Sequence, residues 1–168
     1  MDAYALLIAA SLNAGTVLAI AALGLLINEK AGIVNLGAEG MMLCAAIAGF
    51  ATVAHTGNFW FGFLAGMAAG AILAAIFGGL VIWLNTNQYA TGLALSLFGT
   101  GFSAFAGIQY VQVKLPEQTQ YAIPFLGDIP FLGMALFRQH PMVYIGIALM
   151  FGLIWFLYRT RTGLVLRS

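Results

Sequence analysis

Charged residues are scarce in this 168-residue chain. They make up 7% of the sequence, whereas hydrophobic residues make up 62%; ordinary globular domains contain about 25% charged residues. Together with a mean hydropathy of +1.00, this composition excludes a soluble domain and indicates an integral membrane protein. The net charge of +1 supplies no basic surface, so nucleic acid is not expected as a partner.

The residue patterns of catalysis and metal binding are also missing. The single cysteine, Cys44, lies in an apolar run and has no partner for an internal disulfide. The sequence holds no paired-carboxylate site, no serine–histidine–aspartate or cysteine–histidine set, and no cluster at metal-ligand spacing. It also lacks the phosphate-binding pattern G-x-x-x-x-G-K-[ST]. We therefore expect neither an enzyme nor a chain with its own metal or cofactor.

Long apolar segments alternate with short polar ones. Five segments are predicted to be transmembrane helices: residues 3–27, 37–54, 59–84, 92–111 and 141–158. The second is short for a full crossing, so residues 28–54 either cross the membrane or re-enter it. Residues 112–140 are the longest connection, and they are apolar enough to pack on the membrane surface or on other helices. The predicted fold class is an all-α integral membrane protein.

The stretch between the first two apolar segments is polar and rich in glycine. It reads NEKAGIVNLGAEGMM at residues 28–42 and holds two of the five carboxylates. A glycine-broken helix is expected near residues 28–40, because irregular backbone at membrane depth is tolerated only against protein or a water-filled cavity. Asn35 and Glu39 are four residues apart and would share one helix face. They either line a solute pathway or cap the second helix, and capping is the simpler interpretation for Asn35.

Two stripes of small residues predict close helix packing. Small residues recur every four positions in the third segment and again in the fourth: Gly62, Gly66, Gly70, Ala74 and Gly78, then Gly92, Ser96, Thr100 and Ala104. Small side chains allow another helix backbone to approach closely. We expect the third and fourth helices to pack tightly, either on each other or on other helices.

The last ten residues carry a concentration of positive charge. Arg159, Arg161 and Arg167 are three of the six basic residues, and no acidic residue accompanies them. The positive-inside rule therefore predicts a cytoplasmic C-terminal end. Counting back through five crossings places the break at residues 28–36 on the cytoplasmic side as well.

Three stretches, in order along the chain, resemble one protein family. They are NEKAGIVNLGAEGMM at 28–42, NQYATGLAL at 87–95, and GDIPFLG at 127–133 followed by RTRTGLVLR at 159–167. They resemble the permease subunits of bacterial ABC importers of the branched-chain amino acid and ribose type. The most similar branch works with basic-membrane-lipoprotein binding proteins and imports nucleosides or simple sugars.

The resemblance implies a role for each matching residue. The first group matches the interrupted helix beside the translocation pathway: Asn35, Gly37, Glu39 and Gly40. The second matches the polar lead into the following helix: Asn87, Gln88 and Gly92. The third matches the lead into the segment that contacts the ATPase: Arg159, Arg161, Gly163 and Arg167. The implied substrate pathway therefore includes Asn35, Glu39, Asn87 and Gln88.

The resemblance also implies an assembly in the bacterial plasma membrane. Residues 1–168 resemble the N-terminal half of a single transmembrane permease domain. The implied partners are a second permease subunit, identical or paralogous, cytoplasmic subunits that bind the ATP, and an extracytoplasmic lipoprotein that delivers the solute. The residues alone leave two other classes open, a secondary transporter or channel with a broken helix and a non-transporting membrane scaffold.

Overall fold

The structure is a computed structural model that describes residues 2–115 and 141–167. Within these ranges the regular elements are six α-helices: α1 (Asp2–Lys30), α2 (Ala38–Thr56), α3 (Phe59–Gly78), α4 (Gln88–Gly107), α5 (Pro141–Arg159) and α6 (Arg161–Arg167). A π-helical turn, Gly79–Trp83, continues α3, and a 3₁₀ turn, Ile108–Tyr110, continues α4. The prediction of an all-α membrane protein is confirmed.

Four helices are long and apolar enough to cross a membrane: Leu7–Lys30, Ala38–Thr56, Phe59–Trp83 and Gln88–Tyr110. A shorter apolar helix, Val143–Arg159, follows near the C-terminal end. These five helices coincide with the five apolar segments of the sequence. The predicted surface loop at residues 112–140 lies outside the described residues from position 116 onward.

The predicted bounds were wrong at two helix ends. Helix α1 continues to Lys30, so the break comprises residues 31–37 rather than 28–36. The helix stops where Gly32 takes a left-handed conformation with φ of +77°, which glycine adopts readily. Helix α4 begins at Gln88 rather than near residue 92, because the Asn87 side chain accepts hydrogen bonds from the amides of Tyr89 and Ala90. Because of this cap, α4 includes residues 88–91 of the polar connection at residues 85–91.

The described residues belong to two compact units. The first unit contains α1, α5 and α6. Helices α1 and α5 pack closely at Gly146, where a Cβ atom would lie 2.7 Å from the Cγ2 atom of Thr16. Between α5 and α6, the Thr160 hydroxyl donates to the Phe156 carbonyl and accepts from the Gly163 amide, which organises the bend between the two helices.

The second unit begins at Gly32 and contains α2, α3 and α4. Helix α2 is its centre, because α3 and α4 both pack mainly on α2 and contact each other only marginally. Four apolar side chains form the buried cluster: Met41, Cys44, Leu73 and Phe77. At the far end of α2, the Tyr110 ring makes edge-to-face contacts with Phe50 and His55.

Candidate functional site

The break before α2 is held by side chains. Its irregular backbone lacks helical partners, and such amides must find other acceptors when they leave water. The Val34 amide donates to the Oε1 atom of Gln88 at 2.8 Å. The Gly37 amide donates to the Oδ1 atom of Asn35 at 2.9 Å. The break therefore has a defined conformation and is tied directly to the first residue of α4.

Glycines allow the backbone at the start of α2 to contact the backbone of α4 directly. A Cβ atom at Gly40 would lie 2.6 Å from both the Leu95 carbonyl oxygen and the Cα atom of Ser96. A Cβ atom at Gly92 would lie 2.9 Å from the Leu36 amide nitrogen. These distances are too short for any side chain, so the crossing requires glycine at both positions.

The stripe of glycines in α3 divides into two parts. Gly62 and Gly66 face α2, where a Cβ atom at Gly66 would lie 3.0 Å from the Ala45 carbonyl oxygen. At Gly70 the nearest atom is the Cβ of Ala45, at an ordinary contact distance of 3.8 Å. At Gly78 the nearest atom belongs to Ile82, one turn along the same chain segment, at 4.0 Å. Only the first part of the stripe lies at a tight helix crossing among the described residues.

Three of the four predicted pathway residues hydrogen-bond to backbone amides. Asn35 closes a turn with Gly37, and its Nδ2 atom lies 3.8 Å from the Met41 sulfur. Asn87 caps α4, and Gln88 binds the break. These contacts give each side chain a structural role and use the oxygen of its amide group. For Asn35 the turn immediately precedes α2, although the residue at the helix N-cap position is Gly37.

Glu39 has a different environment. It lies in the first turn of α2 and is exposed in this chain. Among the described residues, none forms a hydrogen bond or an ion pair with its carboxylate. A negative charge is favourable at this end of a helix, but the capping bond considered from the sequence is not formed. The carboxylate is therefore available to a partner chain, to water or to a solute.

An open cleft lies where the break, the π-helical turn and the start of α4 meet. Its volume is about 520 Å³. Its lining is uncharged and comes from both sides of the α3–α4 connection as well as from the break: Gly32, Ile33, Val81, Ile82, Asn85, Thr86, Asn87, Gln88 and Tyr89. The cleft brings together Asn87 and Gln88 of the predicted pathway residues, but Asn35 and Glu39 do not line it.

Of the residues that line the cleft, sequence reasoning singled out only Asn87 and Gln88, and it missed Asn85 and Tyr89 among others. Tyr89 lies in the stretch 87–95 that carries the family resemblance, and Asn85 lies two residues before that stretch. The π-helical turn that carries Val81 and Ile82 was also missed. Such turns are rare and occur frequently at functional sites, but apart from the paired glycines Gly78 and Gly79 the sequence provides no signal for one.

The C-terminal residues predicted to lead toward an ATPase surround the bend between α5 and α6. Arg159 is the last residue of α5, Arg161 is the first of α6, and α6 ends at Arg167. Gly163 packs against the Phe156 backbone so closely that a Cβ atom would collide with it. In the ranges that the structure describes, no group of three or more histidine, cysteine or acidic residues is placed to hold a metal ion.

The fold and the break define a polytopic α-helical membrane protein with a polar cleft at one end of its second unit. Residues 7–168 match the family described as branched-chain amino acid transport system / permease component, and the chain belongs to this family. The resemblance inferred from the sequence motifs is thereby confirmed. No solved structure matches the chain at a significant level.

Three curated relatives are similar over nearly the whole chain. A protein of Haloferax volcanii, provisionally named a glucose ABC transporter permease, is 43% identical over 163 residues, which are 94% of this chain and 49% of the relative. The guanosine ABC transporter permease of Bacillus subtilis is 32% identical over 97% of this chain and 55% of its own length. The nucleoside ABC transporter permease of Lactococcus lactis is 28% identical with the same coverage. The chain thus spans about half the length of these relatives.

Proposed function

We propose that this chain forms part of the membrane-spanning permease subunit of an ATP-driven ABC importer for a small polar solute, either a simple sugar or a nucleoside. The family match over residues 7–168 carries the proposal. The names of the relatives support the solute class, since they refer to glucose, guanosine and nucleosides. The chain itself would perform no chemistry, and ATP would be hydrolysed by a separate subunit.

The geometry of the second unit supports a path for an uncharged solute. The cleft at the break offers amide and hydroxyl groups beside apolar side chains and contains no charged residue. This mixture is typical of sites for small neutral molecules. We place Asn87 and Gln88 along the pathway because they line the cleft. Glu39 remains a candidate pathway residue because its carboxylate is exposed and unpaired among the described residues.

The assembly in this proposal has three further components. A second permease subunit, identical or paralogous, would complete the pathway in the plasma membrane. An extracytoplasmic lipoprotein would deliver the solute, and cytoplasmic ATP-binding subunits would drive the conformational cycle. By the positive-inside rule, the arginines around the α5–α6 bend support a cytoplasmic C-terminal end, where Arg159, Arg161, Gly163 and Arg167 would lead toward the ATPase contact.

Reconstitution tests the proposal. The full-length permease would be placed in liposomes with its partner subunits and the lipoprotein, and uptake of radiolabelled glucose and guanosine would be measured. We expect uptake of at least one solute that requires both ATP and the lipoprotein. The matched control is an ATPase subunit that binds ATP but cannot hydrolyse it. Uptake driven by an ion gradient without ATP would instead establish a secondary transporter, and the absence of flux for any solute would favour a scaffold.

A further inference from the structure

Asn85 has an unusual backbone conformation. Within the described ranges it is the one non-glycine residue with a positive φ, at +49°. It follows the π-helical turn and precedes the cap of α4. Left-handed backbone is unfavourable for most L-residues, although asparagine tolerates it better than others. Glycine would fit this position without strain, so the side chain is not required by the backbone conformation itself.

The Asn85 side chain is also unused by the fold. It is exposed, and among the described residues none hydrogen-bonds to its amide. This distinguishes it from its neighbours, because Thr86 bonds to the Leu80 carbonyl, Asn87 caps α4 and Gln88 binds Val34. Asn85 lines the cleft with a complete amide group, an NH₂ group with two donors and a carbonyl acceptor, available for a ligand.

The remaining lining complements that amide. Gln88 uses its Oε1 atom for Val34 and retains its Nε2 donor. Tyr89 lines the cleft with a ring and hydroxyl, and 54% of this residue is exposed. Val81 and Ile82 add apolar surface from the π-helical turn. The cleft is open on one side and has a volume of about 520 Å³.

We propose that Asn85 and Tyr89 are solute-contacting residues of the transport pathway at this cleft. Neutral amides can exchange hydrogen bonds with hydroxyl and ring-nitrogen groups, and the Tyr89 ring can cover an apolar face of the solute. This inference rests on the proposed function, since it identifies a contact of the same transport pathway.

Asn85→Gly is the decisive variant. Glycine relieves the left-handed backbone and removes only the amide, so a purely conformational role for Asn85 predicts unchanged or improved behaviour. If the amide contacts the solute, ATP-driven uptake at saturating loaded lipoprotein should fall about fivefold, the effect of losing one hydrogen bond between neutral groups. The amount of permease inserted in the membrane should stay unchanged. Uptake equal to that of the unmodified transporter would overturn the proposal.

A labelling experiment tests contact directly. In the reconstituted transporter, Asn85→Cys would be treated with a maleimide during turnover, with glucose or guanosine present. We expect slower labelling in the presence of the solute that is transported. Leu84→Cys is the matched control, because Leu84 is adjacent and 69% exposed but does not line the cleft. Equal protection at both positions would contradict the inference.

These outcomes separate the inference from the proposed function. If the unmodified transporter shows no ATP-dependent uptake, the proposed function fails before the variants are compared. Suppose instead that the unmodified transporter shows ATP-dependent uptake, that Asn85→Gly does not reduce this uptake, and that the solute does not slow labelling of Asn85→Cys. The importer assignment then stands, and only the cleft contact is rejected. Tyr89→Leu, with Tyr89→Phe as its control, should lower uptake only when the ring is lost.

Discussion

At the scale of single residues, Gln88 connects two parts of the second unit that are far apart in sequence. Its side-chain oxygen accepts the Val34 amide, 54 positions earlier in the chain. Because Val34 is partly buried, loss of this acceptor would leave a backbone donor without its partner. The contact makes Gln88 a positioning residue for the break, in addition to its place in the cleft.

Replacing Gln88 tests this role. We expect Gln88→Met to lower the free energy of unfolding by about 1 kcal/mol, because methionine has similar length but no comparable acceptor. Gln88→Glu keeps an oxygen at the same position and should retain most of the stability. Thermal unfolding of the purified full-length permease would measure both. Equal stability of the two variants would show that the Val34 contact is not important for folding.

For Glu39 we predict a loss of transport without a loss of stability. Because its carboxylate has no partner among the described residues, Glu39→Gln should leave insertion and assembly nearly unchanged. We expect it to lower ATP-driven uptake about tenfold, as for the loss of a hydrogen bond to a charged group. Uptake would be normalised to the permease recovered from the membrane. If recovery falls in proportion to uptake, the carboxylate is structural.

At the scale of helices, glycine positions determine which surfaces approach. The sequence indicated that α3 and α4 would pack tightly, and the structure shows that both do so on α2. A four-residue spacing reveals a face of small residues, but it carries no information about the helix that covers that face. The same stripe in α3 therefore contains tight positions, such as Gly66, and open ones, such as Gly78.

This difference provides a matched pair of substitutions. Gly66→Leu should reduce the amount of assembled permease severalfold, since its Cβ atom alone would lie 3.0 Å from the Ala45 carbonyl oxygen. Gly78→Leu introduces the same side chain into the same helix, where the nearest atom is 4.0 Å away and belongs to Ile82. We expect its assembly to be close to normal. Size-exclusion chromatography of the extracted complex would compare them, and equal losses would refute the packing argument.

At the scale of the whole molecule, the proposed orientation can be tested by labelling. Helix α2 runs to Thr56 and α3 returns to the connection at Leu84, so these residues lie at opposite ends of the second unit. With a cytoplasmic C-terminal end, an impermeant maleimide should label Thr56→Cys in intact cells. It should label Leu84→Cys and Thr162→Cys only after permeabilisation. Cys44 is buried and should contribute little background. The reverse pattern would invert the proposed topology.

The sequence by itself determined the class of protein, the number of apolar helices, the existence of the break and the family. These properties depend on composition, on the length of apolar segments and on local motifs, all of which can be identified from the amino-acid sequence. Helix ends were predicted less accurately, because one cap at Asn87 and one left-handed glycine at Gly32 moved them by several residues.

Only the tertiary structure decided which groups meet. The bond between Val34 and Gln88, the crossing of Gly40 with α4, and the cleft between the break and the α3–α4 connection all join segments far apart in sequence. The physical reason is that periodicity defines the faces of a helix, whereas the partner of each face depends on the packing of the whole unit. For this reason the sequence named Asn87 and Gln88 through a family resemblance, but the unused amide of Asn85 became visible only in three dimensions.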